Sequence, residues 1–191
     1  MCYNCMRLLI KRLYKRLRPN NKVEDAGTNT EMVYFVYQYN HQHRNKRRKY
    51  MANVIPTSFK TELLSGTHNF ASGGNSFKLA LYTDISGLTA STTAFTTTNQ
   101  VSSSGTSYTS GGNTLSSQAV SSDGTTATVD FADLTFSSVT LSAVGAMIYN
   151  DTNSDKICVV LDFGGTKTAT NGDFVVQFPA ADASNAIIRL A

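Results

Sequence analysis

The residues whose spacing comes nearest to a metal site lie between two apolar runs, at positions 151–162. Asp151, Asn153 and Asp155 have the D-x-N-x-D spacing of a calcium-binding loop, and Asp162 stands at its twelfth position. The sixth position of such a loop needs glycine for a sharp turn, but here it holds Lys156, which adds a positive charge. Asp162 also falls within a predicted strand. We therefore interpret the segment as a polar hairpin loop and predict no metal ion there.

A second set of candidate metal ligands lies in the first part of the chain. Cys2 and Cys5 have C-x-x-C spacing, and His41 and His43 could complete four zinc ligands. The interval between the two pairs is far longer than in a zinc finger, however, and the two histidines are closer together than zinc-finger histidines are. We therefore predict no zinc site.

Two further residues could act as a base and a nucleophile. His68 is the only histidine after Met51, and no paired nucleophile is near it in the sequence, so we predict a surface or helix-capping role. Cys158 stands between Ile157 and Val159 in an apolar run, which predicts a small core residue rather than a nucleophile. This usage of cysteine gives no disulfide framework and suits a reducing cytoplasm.

The remaining acidic residues are scattered along the sequence. The paired glycines are a separate feature, and they lack the lysine and the following helix of a phosphate loop. A glycosidase needs two facing carboxylates, but the sequence does not select a pair. Aspartate beside a turn commonly accepts backbone hydrogen bonds, and we predict that role for these residues. The acids concerned are Asp123, Asp130, Asp133, Asp173 and Asp182, and the glycine pairs, which we interpret as turns, are Gly73-Gly74, Gly111-Gly112 and Gly164-Gly165. The sequence thus predicts no catalytic residue, no cofactor and no enzyme.

A β-hairpin over residues 143–163 is the element around which the rest of the chain is predicted to pack. It has two apolar runs rich in β-branched residues, separated by Asp, Asn and Ser. A short helix is predicted over residues 57–65, after Pro56 and capped by Thr57 or Ser58. Phe59, Leu63 and Leu64 share its apolar face, and Gly66 is predicted to end it in the left-handed conformation.

Short strands with frequent turns make up the remainder. Residues 87–110, mostly Ser, Thr and Asn, predict a long ordered loop with at most one short strand, anchored by Phe95, Val101 and Tyr108. Asp123-Gly124 and Asn171-Gly172 predict hairpin turns. Strands are predicted over 77–82, 114–120, 125–131, 134–136, 139–149, 157–163, 174–178 and 186–190. The pattern predicts an all-β chain, an antiparallel sandwich or jelly roll of about seven or eight strands with one short N-terminal helix.

Charge divides the chain into two parts. Residues 1–50 hold twelve of the seventeen Lys and Arg and three acids, a net charge of +9, whereas residues 51–191 have a net charge of −5. Ser and Thr make up 42 of the residues in the second part. We predict a basic extension over 1–50 and a β-sandwich domain over 51–191. The acidic domain repels phosphate, so we expect no nucleic-acid partner, and no apolar run is long enough to span a membrane.

The abrupt change at Met51 suggests a translation start. The bacterial ribosome-binding hexamer AGGAGG reads in frame as Arg-Arg, so we interpret Arg47-Arg48, which two codons separate from Met51, as such a translated site. We expect Met51 to be the start and residues 1–50 to be a mis-assigned extension. The alternatives are a disordered basic arm and a folded or membrane-touching segment, since residues 6–18 have the pattern of a basic amphipathic helix.

Residues 51–191 resemble a family of small virion proteins of tailed, mainly marine, bacteriophages, encoded among head and tail structural genes. The order and spacing of several short segments carry this resemblance: 59–64, 77–82, 105–112, 146–149, 161–164 and 172–174. The resemblance implies a non-enzymatic structural protein, either a capsid decoration or cement protein or one associated with the tail.

The expected partners are the major capsid protein or other virion subunits and further copies of the chain, with residues 87–110 as the expected contact. The expected location is the virion, and the host cytoplasm before assembly. The alternative function is a carbohydrate- or host-surface-binding module of a phage fibre or tail, which exposed aromatic residues would favour.

Overall fold

The computed structural model describes residues 53–191, which form one α-helix and seven β-strands. The helix and strands are α1 (Thr57–Leu64), β1 (Phe77–Tyr82), β2 (Asn113–Thr114), β3 (Ala119–Asp123), β4 (Thr126–Asp130), β5 (Leu134–Asn150), β6 (Lys156–Val176) and β7 (Ile188–Leu190). The strands form a four-stranded antiparallel sheet, in the order β2-β1-β5-β6, and a three-stranded antiparallel sheet, in the order β3-β4-β7. The predicted all-β sandwich with one short helix is confirmed, but the strand order does not establish a jelly roll.

The β5–β6 hairpin is the longest element, as predicted for its central part, but it is much longer than 143–163. Its first pair is Leu134 with Val176, and its last pair, beside the loop, is Asn150 with Lys156. The pairing is this long because the residues that were predicted to form turns lie in bulges within the strands. Gly164-Gly165 lies in a bulge of β6, since Ala143 pairs with Lys167 but Gly145 pairs with Asp162. The predicted turn at Asn171-Gly172 is wrong: both residues lie within β6, with Gly172 opposite Val139.

The other strands show smaller differences from the predicted ones. The two predicted strands 134–136 and 139–149 are one strand, which continues through Ser138 at a φ of 55°. The predicted strand 114–120 is wrong, because β2 ends at Thr114 and β3 begins only at Ala119. The hairpin turn between β3 and β4 is Gly124-Thr125 rather than Asp123-Gly124, since Asp123 pairs with Thr126.

Both faces of the four-stranded sheet are covered in its central part. One face packs with Val129 and Ile188 of the three-stranded sheet in the larger apolar core. The opposite face, with Tyr82, Met147 and Tyr149, packs under Ile85, Leu88 and Phe95. The predicted ordered loop and its anchors are confirmed: Phe95 stacks on Tyr149, with ring centroids 4.6 Å apart, and Val101 and Tyr108 are buried in the larger core. The loop forms isolated bridges but no strand.

Helix α1 differs from its prediction at its start and on its buried face. Its N-cap residue is Pro56, no side chain caps it, and the hydroxyl of Ser58 has no hydrogen-bond partner among the described residues. Gly66 follows the helix at a φ of 74°, as predicted. Leu64 is 92% exposed, because it lies roughly 140° around the helix from Phe59. Glu62 shares the inner face instead, one turn from Phe59.

Candidate functional site

Five polar residues from four parts of the chain meet in the interior, between helix α1 and the β5–β6 hairpin. We call this group the His68 cluster: Glu62, His68, Asn75, Asn150 and Cys158. Glu62 points inward from α1, and His68 and Asn75 come from the connection between α1 and β1. Asn150 ends β5, and Cys158 lies near the start of β6. The cluster therefore joins the helix to the loop end of the central hairpin.

Hydrogen bonds fix the orientation of the His68 ring. Nε2 of His68 lies 3.0 Å from Oε2 of Glu62, and Nδ1 lies 3.1 Å from Nδ2 of Asn150. The amide oxygen of Asn150 accepts the backbone N–H groups of Thr152 and Asn153, so its NH₂ group must face the ring. Nδ1 is therefore the acceptor, and the ring hydrogen lies on Nε2 and is donated to Glu62.

A bulge in β6 places a thiol beside this ring. Ile148 pairs with Val159 but Tyr149 pairs with Ile157, so Cys158 is the extra residue of the bulge. Its Sγ atom lies 3.8 Å from Nδ1 of His68. The prediction of a surface or capping role for His68 is wrong, because the ring is buried beside a thiol that is distant in the sequence. The prediction that Cys158 is a core residue is confirmed.

The order of groups, thiol, imidazole and carboxylate, is that of a nucleophilic triad, but its environment opposes that chemistry. Cys158 is 0% exposed, and burial raises the pKa of its thiol. Burial also lowers the pKa of His68, against the attraction of Glu62. Nδ1, the atom that would take the thiol proton, already accepts a hydrogen bond from Asn150. These groups suit a neutral hydrogen-bonded contact better than a nucleophile.

Glu62 is the charged member of the cluster and has a second partner at its outer edge. Nζ of Lys156 lies 2.5 Å from Oε1 of Glu62, at the first residue of β6. Burial raises the pKa of Glu62, but hydrogen bonds from Lys156 and His68 outweigh it and hold that pKa below its ordinary value. The carboxylate is therefore ionised at neutral pH and bridges two elements.

The residues with calcium-loop spacing do not converge on one point. Asp151 pairs with Lys78 of β1 at 2.8 Å, and the side-chain amide of Asn153 donates to the carbonyl of Thr67. Asp162 lies far along β6, where its carboxylate accepts the N–H of Gly164. Among residues 53–191, no group of three or more His, Cys, Asp or Glu side chains is arranged so that it could hold a metal ion.

Four of the five scattered aspartates have the predicted role beside turns and loops. Their carboxylates accept backbone N–H groups from residues distant in the sequence or just beyond them. The donors are Ala183 for Asp123, Phe178 for Asp133, Ser138 for Asp173, and Ser184 and Asn185 for Asp182. These acids hold loops in place, and no hydrogen bond among residues 53–191 joins two of them. The zinc candidates Cys2, Cys5, His41 and His43 lie outside the described residues.

A separate surface feature lies at one end of the three-stranded sheet. Val120 pairs with Val129, and Ala127 pairs with Leu190, so these side chains share the inner face of that sheet. Val129 is buried in the core, but Val120 is 56% and Leu190 58% exposed. We call Val120, Ala127 and Leu190 the open sheet end.

An apolar groove of about 350 Å³ lies between the open sheet end and the connection after helix α1. Leu63, His68 and Phe70 line its opposite wall. Strand β3 forms the adjacent edge of the sheet, and all five of its residues are exposed. The groove therefore joins exposed apolar side chains to a strand edge that pairs with no other strand of residues 53–191.

Comparisons of the chain with models of protein families, with curated proteins and with solved structures find no match. No helix among residues 53–191 is long and apolar enough to cross a membrane.

Proposed function

We propose that this chain is a non-enzymatic structural protein of a bacteriophage particle, that it decorates the capsid, and that it associates there with copies of itself. The observation that carries the proposal is the open sheet end beside the free edge of β3. Exposed apolar patches mark interaction sites, and an unguarded strand edge offers backbone donors and acceptors to a neighbouring chain. A neighbouring subunit covers both features at once.

Strand β3 lacks most of the devices that usually protect an edge, and its one charged residue, Asp123, stands at its end. It contains no proline, no lysine and no bulge, since its register with β4 is unbroken from Ala119 to Asp123. Val120 then presents an apolar side chain on the same strand. Such an edge is a liability in a free monomer, but it is useful in a shell in which identical subunits meet at repeated sites.

The chemistry of the interior supports a structural role. Among residues 53–191, the arrangement with the order of a catalytic triad is closed, and four of the five scattered aspartates hold backbone groups. The anchored residues 87–110 supply a second exposed contact surface, because the anchors Val101 and Tyr108 face inward and the Ser and Thr residues around them are exposed. The resemblance of residues 51–191 to phage virion proteins favours the same proposal.

The alternative, a carbohydrate- or host-surface-binding module, receives less support. Sugar-binding surfaces present exposed aromatic rings, but Tyr82, Tyr108 and Tyr149 are all buried. Phe95 is half-buried and is already stacked on Tyr149. We therefore retain the capsid-decoration proposal.

Mass spectrometry of purified phage particles tests it. We expect peptides from residues 53–191 to accompany the particles through a density gradient, at a constant ratio to the major capsid protein. The absence of these peptides from intact, washed particles would contradict the proposal. The same peptide map shows whether residues 1–50 are translated.

A further inference from the structure

The contacts of His68 join three separate segments through one ring. Nε2 donates to Glu62 of helix α1, and Nδ1 accepts from Asn150 at the end of β5. The ring also packs against Phe59 and Phe70, with centroid distances of 5.0 and 6.2 Å. Any change in the hydrogen-bonding character of the ring therefore acts on the helix, the following connection and the hairpin together.

The contact with Asn150 requires a neutral ring. The NH₂ group of Asn150 faces Nδ1, and the amide cannot turn over, because its oxygen accepts the N–H groups of Thr152 and Asn153. The same NH₂ group also donates to Oδ1 of Asn75. If Nδ1 is protonated, its N–H group faces the NH₂ group of Asn150, so that two hydrogen-bond donors meet in a buried site. A buried donor without an acceptor costs free energy.

Charged groups on the neighbouring elements affect the protonation of His68. Glu62 of α1 favours the protonated ring, whereas Lys156 of β6 opposes it. Arg189 of β7 lines the same groove as His68, and its guanidinium donates to the carbonyl of Ser184. Cys158 adds no charge, because burial raises the pKa of its thiol. The hairpin loop holds two acids, Asp151, which is paired with Lys78, and Asp155.

We propose that the His68 cluster is an acid-sensitive latch, which holds helix α1 and residues 67–75 against the β5–β6 hairpin when the ring is neutral and releases them when it is protonated. Burial lowers the pKa of His68 in the closed state, so the open state binds the proton more tightly. By linkage, acidification through the ordinary range of histidine favours the open state.

Release has a defined consequence for the surface. Leu63, His68 and Phe70 form the groove wall opposite the open sheet end. When this wall moves away, the groove widens and apolar side chains beneath it, such as Phe77, become accessible. The latch thus controls the size of the apolar surface that residues 53–191 present.

Hydrogen–deuterium exchange of the full chain, read by peptide mass spectrometry, tests the latch. After correction for intrinsic exchange rates, we expect peptides from residues 57–75 to lose about tenfold or more protection between about pH 7.5 and about pH 5. Peptides from β1 and from residues 145–150 should keep theirs. Equal protection of residues 57–75 at both pH values would overturn the proposal.

Three variants separate the latch from a general effect of acid. His68→Gln keeps a donor for Glu62 and an acceptor for Asn150 but cannot be protonated, so its acid-induced loss of protection should disappear. Glu62→Gln removes the negative charge that stabilises the protonated ring in the closed state, so it should enlarge the acid-induced loss of protection. Lys156→Gln removes a positive charge that opposes protonation, so it should reduce that loss. If His68→Gln retains the native pH response, or if the other two variants shift it in the same direction, the latch is wrong.

Discussion

The Sγ atom of Cys158 lies 3.8 Å from Nδ1 of His68, although the two residues are 90 positions apart. A catalytic pair needs the same proximity, but it also needs an open path to the thiol and a thiolate at working pH. Here the thiol is buried and the ring is already hydrogen-bonded to Asn150. The contact is better explained as part of a buried joint between helix and hairpin.

Cys158 should be unreactive in the folded protein. Because its thiol is buried and its pKa is raised, we expect alkylation by iodoacetamide to be at least about 100-fold slower than in denaturant. Peptide mapping distinguishes Cys158 from Cys2 and Cys5. Labelling of Cys158 at the rate of glutathione under native conditions would contradict the burial of the thiol and reopen a catalytic interpretation.

Global stability should fall as the pH falls below about 6.5. The pKa of His68 is lowered on folding from its ordinary value of 6.5, so the unfolded chain binds more protons below that value. Glu62, whose pKa is lowered from 4.5, adds a further loss at more acidic pH. Urea unfolding at a series of pH values measures both effects. His68→Gln should remove the loss of stability that begins near pH 6.5. If the free energy of unfolding of the native chain stays constant down to about pH 5, the proposed role of His68 is wrong.

Gly112 should tolerate no side chain, whereas Gly105 should tolerate alanine at moderate cost. A Cβ atom at Gly112 would lie 1.8 Å from the carbonyl oxygen of Leu79, and Gly112 has a φ of 78°. Gly105 has a φ of 73° but no atom within 4 Å of a Cβ position. We expect Gly112→Ala to cost more than about 3 kcal/mol and Gly105→Ala about 1 kcal/mol in the free energy of unfolding. Equal costs would show that residues 83–112 do not lie against β1 as described.

The fold class could be predicted from the sequence because apolar alternation and turn residues are local signals. The hairpin at 143–163 and the anchors Val101 and Tyr108 were recognised in this way. Asn171-Gly172 misled the prediction, since a residue pair that favours positive φ serves a strand bulge as well as a turn. Only the pairing partner, Val139, distinguishes the two.

The His68 cluster could not be predicted, because its members come together only through tertiary packing. Asn150 gave no signal beyond its place before a polar loop. Leu64 was predicted on the buried face of helix α1, since the sequence pattern favoured the leucine for the core, but Glu62 lies on that face and Leu64 is exposed. The spacing of Phe59 and Glu62, three residues apart, was the available signal, and it becomes informative once His68 is known to be buried.

The open sheet end should drive self-association. Val120→Asp places a charge on this exposed apolar surface, and we expect it to weaken association of the purified full chain by about tenfold or more in analytical ultracentrifugation. Ser137→Asp, at an exposed position of β5, is the matched control and should leave association unchanged. Circular dichroism verifies that both variants fold. If Val120→Asp associates as the native chain does, the open sheet end is not the contact between copies.

Cryo-electron microscopy of the phage particle tests the central proposal most directly. We predict repeated copies of the β-sandwich on the capsid, with Val120 and Leu190 buried against a neighbouring subunit. A well-resolved particle without this domain, or one in which these two side chains face solvent in every copy, would contradict the account.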